Sequence, residues 1–504
     1  MEDIAGSGAG QVTTAPAAGG DEAVLNRFGY AQELRRKLRF FSVFAVGFSI
    51  ISITTGIFLN YGFGLTYWGP AMIWLWPIAV VGQVLVALVV AELSTRIPLA
   101  GYAYQWSSRL VNPSYGWFVG FAGLMYMTVG GGAIILLVAA PLLISEFGVT
   151  ATPHLTLAVA IIIMILPMVI NIISVQVAAR VNNVAVFTEI IGTVVFGVLL
   201  MILWGVGTKP GSGANILFST TSVQHNAIWY SIALAALVGI YTLVGFELAA
   251  DLSEEAINAG HNVPRAVIWA VVGSGVLGMI ALIGFTIAIP SIKAVEQPGL
   301  PLLTIGSYWL GSGLTKVFIA FVVFSMFAIV VVGAAAQARL VYSLARDNML
   351  PWSAWFRKVN PRTQTPIAAL VVFGILDIAF MIYGYLQANA FGTLVAATAI
   401  IPYIIYFLIT VAYARKRAVL EHVPGQFSLG RWAKPVIGLV LFWTALVILV
   451  LALPAPFHGS DKVIVGGAVL AALWYFLALR SRLKNGTAGP TSIEQVVSGG
   501  EPDA

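Results

Sequence analysis

The 504 residues contain no cysteine, which excludes disulfides, thiolate chemistry and cysteine-based metal sites without naming a compartment. Charge is nearly as scarce. Only 9% of residues are Asp, Glu, Lys or Arg, where an average soluble domain has about a quarter. In their place 59% of residues are hydrophobic and the mean hydropathy is +0.94, so the chain reads as a polytopic membrane protein. Noticeable polar stretches are confined to 1–39 and 481–504, both rich in Gly, Ala, Ser and Pro, and these are expected to be disordered tails. No Walker A pattern (GxxxxGK[ST]) occurs, so a P-loop nucleotide site has no basis. The five histidines, His154, His225, His261, His422 and His458, fall in loops or at the ends of apolar runs. An intramembrane enzyme, which needs a nucleophile with its base or a metal constellation, lacks its parts; no cofactor and no metal is expected. Nor is a cleaved leader expected, because the first apolar run follows Arg35, Arg36, Lys37 and Arg39 and is about 25 residues long, a spanning length.

Long apolar runs are what the chain does have. Windows of about 20 residues place spans at 40–65, 70–93, 115–146, 154–176, 183–206, 227–252, 265–290, 314–345, 366–387, 391–414, 435–456 and 461–480. An even number puts both termini on one side. Twenty-two of the 26 Lys and Arg residues then share that side, leaving only Lys209, Lys293, Lys316 and Lys462 opposite. The positive-inside rule makes the rich side cytoplasmic; the plasma membrane is the expected location. The net charge of +6 accordingly reports topology and contact with anionic lipid head groups rather than nucleic acid.

Two of these spans are written to break, and they lie five apart. Span 1 carries Gly47, Ser49, Ser52, Thr54, Thr55 and Gly56 where a lipid-facing helix would carry Leu and Val. Unwinding there would expose the N-terminus of a second half-helix, whose N–H groups and positive dipole end suit a carboxylate. A close-packing seam of small residues is the alternative. Span 6 carries Gly239, Gly245, Phe246 and Glu247, followed by Asp251, Glu254 and Glu255. Carbonyls at the C-terminal end of its first half suit an ammonium group, and the three later acids read as a solvated helix end or a gate ion pair. Interrupted helices in matching positions of two halves point to the substrate site of a secondary transporter.

Several stretches together resemble a known family. Gly245-Phe246-Glu247 with Glu254-Glu255, then Asn262-Val263-Pro264-Arg265-Ala266, looks like the sixth-span signature of the amino acid-polyamine-organocation (APC) superfamily. Ala91-Glu92-Leu93-Ser94 through Pro98 and Gly101-Tyr102, Arg180-Val181-Asn182-Asn183, and Ala338-Arg339 through Ala345-Arg346-Asp347 agree with it in order along the chain. The long N-tail and the Ser-Ile-Thr-Thr-Gly form of span 1 are most similar to the amino acid/choline transporter branch, which includes 4-aminobutyrate permeases.

The resemblance implies an all-α polytopic protein of 12 transmembrane helices with the LeuT-type fold. Residues 40–206 and 227–414 would be inverted repeats, and spans 11 and 12 (435–480) would lie outside them. By matching position, Ser52, Ile53, Thr54, Thr55 and Gly56 would hold the substrate carboxylate. Tyr241, Thr242, Leu243, Val244, Gly245, Phe246 and Glu247 would contact the amine and side chain. Met125, Tyr126 and Gly130 of span 3 and Ser325 of span 8 would wall the cavity. Gly130, Gly131 and Gly132 could bend span 3 or admit a partner helix.

Ionisable side chains well inside the apolar runs are few: Glu189, Glu247 and Asp377. Each costs several kcal/mol unless paired or hydrated. Glu189 stands nine residues after Arg180, where some proton-coupled relatives carry an ionisable group in place of a sodium site. It is the expected carrier of the coupling proton, the alternative being a protonated Glu hydrogen-bonded to a neighbouring helix. Asp377 is expected to be structural, because the ninth span of this fold is usually peripheral. The resulting expectation is a proton-coupled permease for an amino acid or small amine; an amino acid-sensing receptor and an uncoupled channel or exchanger are the competing readings. Alpha-amino acids, 4-aminobutyrate, ethanolamine and choline all remain candidate solutes; the mostly apolar Thr242, Leu243, Val244 and Phe246 favour a neutral or hydrophobic one, and Glu247 leaves a cationic one open.

Overall fold

The computed structural model describes residues 18–498 apart from 208, 223–225, 296–299, 388 and 421–425. The outer parts of both expected tails, and His225 and His422, lie outside the described residues. Among the described residues, eleven helices are long and apolar enough to cross a membrane. They run Phe40–Trp68, Pro70–Arg96, Pro113–Glu146, Pro153–Ile173, Gln176–Gly205, Ala259–Ile287, Pro301–Arg346, Ile367–Tyr385, Thr393–Val419, Gly430–Ala452 and Gly459–Lys484. The remaining expected span, 227–252, is in pieces: a short apolar helix over Ile228–Ile240, then an unwound stretch, then a tight 3₁₀ turn series over Phe246–Glu255. The helix expected at 314–345 starts earlier, at Pro301, and bends at Gly311 (φ 74°, ψ 176°). Its added portion buries Leu302, Ile305 and Trp309, a gain that the polar Ser307, Tyr308 and Ser312 conceal from a hydropathy window.

The bundle is layered. In Phe40–Trp68 and Thr393–Val419, 83% and 78% of the most apolar window is buried, against 28% in Pro153–Ile173, Ile367–Tyr385 and Gly430–Ala452 and 22% in Gly459–Lys484. The outer helices turn large apolar side chains outward, Ile162, Ile173, Ile375, Phe442 and Leu477 among them. Contiguous apolar surface of this kind suits lipid rather than water. Inside, spans pack through small residues. A Cβ on Gly284 of span 7 would stand 2.2 Å from the Gly197 carbonyl oxygen of span 5, and the Trp76 indole of span 2 donates to the Gly275 carbonyl at 2.8 Å.

Residues 18–39 correct the expectation of a disordered tail. A helix covers Ala18–Arg27, and Leu25, Phe28, Leu34 and Leu38 are buried against the bundle. The backbone is pinned as well: Lys37 and Leu38 N–H both donate to the Glu255 carbonyl at 2.9 Å, and Ile257 N–H donates to the Leu38 carbonyl at 2.8 Å. The C-terminal stretch likewise forms a helix, Ile493–Ser498, that buries Ile493 and Val496. Average composition misjudged both segments, since a few apolar residues at spacings of three or four are enough to dock a short amphipathic piece.

Candidate functional site

Span 1 breaks at Ser52, whose φ of 37° and ψ of 88° are left-handed. A non-glycine residue there costs about 1–3 kcal/mol, and hydrogen bonds offset it. The Ser52 hydroxyl accepts from Thr55 N–H at 3.3 Å, donates to the Thr55 hydroxyl at 2.8 Å and lies 3.3 Å from the Ser325 hydroxyl of span 8. The second half-helix starts at Ile53. Its Thr54 N–H donates to Glu189 Oε1 at 3.1 Å, and the Thr54 hydroxyl pairs with that of Thr193. The hydroxyls of Ser52, Ser325 and Thr54 gather around the same carboxyl. Glu189 therefore sits at the positive end of this half-helix, fully inside the protein. The N–H groups expected to stand bare for a ligand are in fact used: Thr54 by Glu189, Thr55 by Ser52, and Gly56 by the Ser52 carbonyl at 3.0 Å.

Span 6 unwinds between Ile240 and Phe246, with Gly245 at φ 93°. Only glycine fits there, because a Cβ would meet Ile50 Cγ2 at 2.3 Å and the Tyr126 hydroxyl at 2.9 Å. Span 10 supports the unwound stretch. The Tyr403 hydroxyl donates to the Ile240 carbonyl at 2.9 Å, the Tyr406 hydroxyl accepts from Gly245 N–H at 3.3 Å, and the same hydroxyl donates to Glu247 Oε2 at 2.5 Å. Phe246 stacks on the Tyr406 ring. Glu247 Oε1 is buried with no hydrogen-bond partner.

The two breaks also touch directly at Gly56 and Thr242. A Cβ on Gly56 would lie 2.0–2.5 Å from three atoms of the Thr242 side chain, so the half-helices touch where glycine leaves room. Beside this contact lies a cavity lined by Thr55, Gly56, Tyr126, Gly130, Tyr241, Thr242 and Val244, all expected at the site. The other expected residues are close but turned away. Ser52, Thr54 and Ser325 lie on the Glu189 side, Gly245, Phe246 and Glu247 pack toward span 10, and Ile53 and Leu243 are buried outside the cavity lining. Met125 points outward against Gly467.

Asp377, expected to be structural, lines the cavity together with Gln337 of span 8 and Thr398 of span 10. Gly333, Ala334 and Gln337 share one helical face of span 8, and that pattern was available in the sequence. The buried Tyr241 hydroxyl, on the cavity wall, has no hydrogen-bond partner. Among the described residues no group of three or more His, Asp and Glu gathers to hold a metal ion.

Asp251, Glu254 and Glu255 do not form a solvated helix end. All are buried. Gly101 N–H donates to Asp251 Oδ1 at 2.6 Å and Ala100 N–H to Glu254 Oε1 at 3.0 Å, while Arg346 and Arg339 pair with Glu254 at 2.9 Å and Glu255 at 2.7 Å. The N-terminal segment closes over them. The Tyr30 hydroxyl donates to Asp347 at 2.7 Å, its ring lies 3.5 Å from the Arg346 guanidinium, and burial with the Asp347 charge beside it pushes the phenol up to about 12. Tyr30 thus remains a donor throughout the physiological range. Arg339→Ala strands the buried Glu255 carboxylate and is expected to cost about 3–5 kcal/mol in unfolding experiments on the solubilised protein. A loss below about 1 kcal/mol would mean that water replaces the guanidinium freely.

Comparison with known proteins agrees with this architecture. A rice (Oryza sativa subsp. japonica) protein, the amino-acid permease BAT1 homolog, is 28% identical over 503 residues, covering 90% of this chain and 93% of its own. The amino-acid permease BAT1 of Arabidopsis thaliana is 26% identical over 493 residues, covering 90% and 93%. The thiamine transporter thi9 of Schizosaccharomyces pombe is 24% identical over 506 residues, covering 90% and 84%. The family described as amino acid permease matches residues 38–476, most of the length, and the chain belongs to that family of multi-pass membrane transporters.

Proposed function

We propose that the protein imports an amino acid or small amine, 4-aminobutyrate among the candidates, across the plasma membrane by alternating access, with Glu189 as the proton-coupling group and both termini cytoplasmic. The observation that carries this reading is the pair of interrupted helices touching at Gly56 and Thr242 beside a buried cavity. Unwound backbone at membrane depth is tolerated only where protein buries it or a cavity is lined by it. Spans 1–5 and 6–10 as two inverted repeats, broken at the first member of each, fit that placement. The relatives' printed substrates, amino acids and thiamine, keep both zwitterions and organic cations in view.

Coupling follows from where Glu189 sits. A negative carboxylate holding Thr54 N–H offsets the positive end of the half-helix and repels a substrate carboxylate in the adjoining cavity. Protonation removes that repulsion, so proton and solute favour each other's binding, and by linkage the effect is reciprocal. The Tyr241 hydroxyl supplies a donor on the opposite wall.

A thermal-shift screen of the purified protein against amino acids and small amines tests the solute class. Stabilisation by at least one zwitterion is expected; none across the amino acids would overturn the proposal. In proteoliposomes an inward proton gradient is expected to drive accumulation. Equilibration without accumulation would identify a channel or exchanger, and binding without flux a sensor.

A further inference from the structure

Asp377 carries a carboxyl into the bundle interior, 7% exposed, and its surroundings do not explain why it is an acid. Its Oδ1 accepts from Gln337 Nε2 at 2.9 Å, and the same nitrogen donates to the Thr128 hydroxyl at 2.9 Å. Both amide hydrogens of Gln337 are thereby used, and spans 3, 8 and 9 are joined. Asparagine would serve that purpose as well, since its carbonyl oxygen accepts the same bond, and interhelical bonds of this kind are worth only about 1–2 kcal/mol. No Lys, Arg or His side chain pairs with Asp377 among the described residues. An intramembrane acid without a protein counter-charge, on the wall of a cavity, points to a ligand that brings one.

The cavity gives the length scale. Ser325 touches the span 1 break, and one turn further along span 8 the cavity wall begins at Ile329 and continues to Gln337, about 12 Å at 1.5 Å per residue. Asp377 stands at the Gln337 end. Between the ends the wall is mostly apolar, with Ile329, Val330, Gly333 and Ala334 on span 8 and Met127 and Gly131 on span 3.

We propose that Asp377 receives a terminal ammonium carried on an aliphatic chain, so that the solute is one whose positive end lies apart from the groups held at the helix breaks, as in a basic amino acid. The inference rests on the cavity being the solute site, as proposed above. Gln337 is a positioning residue that fixes the carboxylate rotamer; the methylenes of the solute lie along the apolar wall.

Lysine and norleucine test this directly, because they share the zwitterionic end and chain length and differ only in the terminal ammonium. The full chain in detergent, titrated with each and followed by thermal shift or calorimetry, is expected to bind lysine about tenfold or more tightly than norleucine, the value of a charged hydrogen bond. Asp377→Asn is expected to abolish that ratio by weakening lysine about tenfold or more and norleucine far less. Wild-type protein that prefers norleucine, or that binds neither, overturns the inference whatever the variant does, and if another zwitterion binds, the carrier reading stands without it. A variant that weakens both ligands equally assigns Asp377 a structural role and overturns it too, as does undiminished preference for lysine in Asp377→Asn. Failure of every amino acid to bind wild-type protein removes the carrier reading itself.

Discussion

Gly56→Ala is expected to reduce transport to the background of empty vesicles and to lower thermal stability. The added methyl would sit 2.0 Å from the Thr242 hydroxyl, 2.3 Å from its methyl and 2.5 Å from its Cβ, separations that no pair of heavy atoms sustains. Overpacking in a well-filled core costs about 1–3 kcal/mol, and here the strain falls where the two interrupted helices pass each other. Thr242 has little freedom to yield, because its hydroxyl donates to the Val238 carbonyl at 2.6 Å, which fixes the rotamer. The half-helices must separate instead, and the cavity beside them changes shape. Thr242→Gly in the Gly56→Ala background removes the whole obstructing side chain and is expected to restore part of the lost stability and uptake. A double-mutant cycle measures this coupling, and an interaction energy near zero would show that the two breaks do not depend on their contact.

The architecture was largely legible because its cause is local. Apolar runs of spanning length and the one-sided distribution of Lys and Arg are composition effects, and eleven of the expected helices lie near their predicted places. Gly56, Gly245 and the Ser-Thr-rich run marked both breaks. The orientation of individual side chains was not legible. Ser52 and Thr54 lie at the predicted break yet face Ser325 and Glu189 rather than the cavity, since a left-handed residue at 52 rotates the next turn of helix in a way that sequence spacing does not encode. That Asp377 lines the cavity was not legible for a related reason. Its helix is peripheral, with 28% of its apolar window buried, but one inward-facing position is enough to reach the cavity between spans 3 and 8. The N-terminal segment was missed because its ordering depends on the Glu255 and Ala256 backbone more than 200 residues away.

Glu189→Gln is expected to eliminate accumulation against a gradient while preserving substrate binding and solute exchange. A membrane potential of ~100 mV and one pH unit together supply about 3.7 kcal/mol per proton, enough for several-hundred-fold accumulation of a neutral solute, so the expected loss is of that order. Glutamine keeps an oxygen to accept from Thr54 N–H at the start of the second half-helix and the break should retain its geometry. What it lacks is a negative state. Wild-type binding is expected to strengthen as pH falls and the carboxylate beside the half-helix is neutralised, whereas the variant, fixed in the neutral form, should bind equally well across the same range. Counterflow in proteoliposomes separates the outcomes. Exchange with pH-independent binding and no accumulation assigns the proton to Glu189. Accumulation that persists in the variant removes it from the coupling path and leaves the carboxyl as a helix cap.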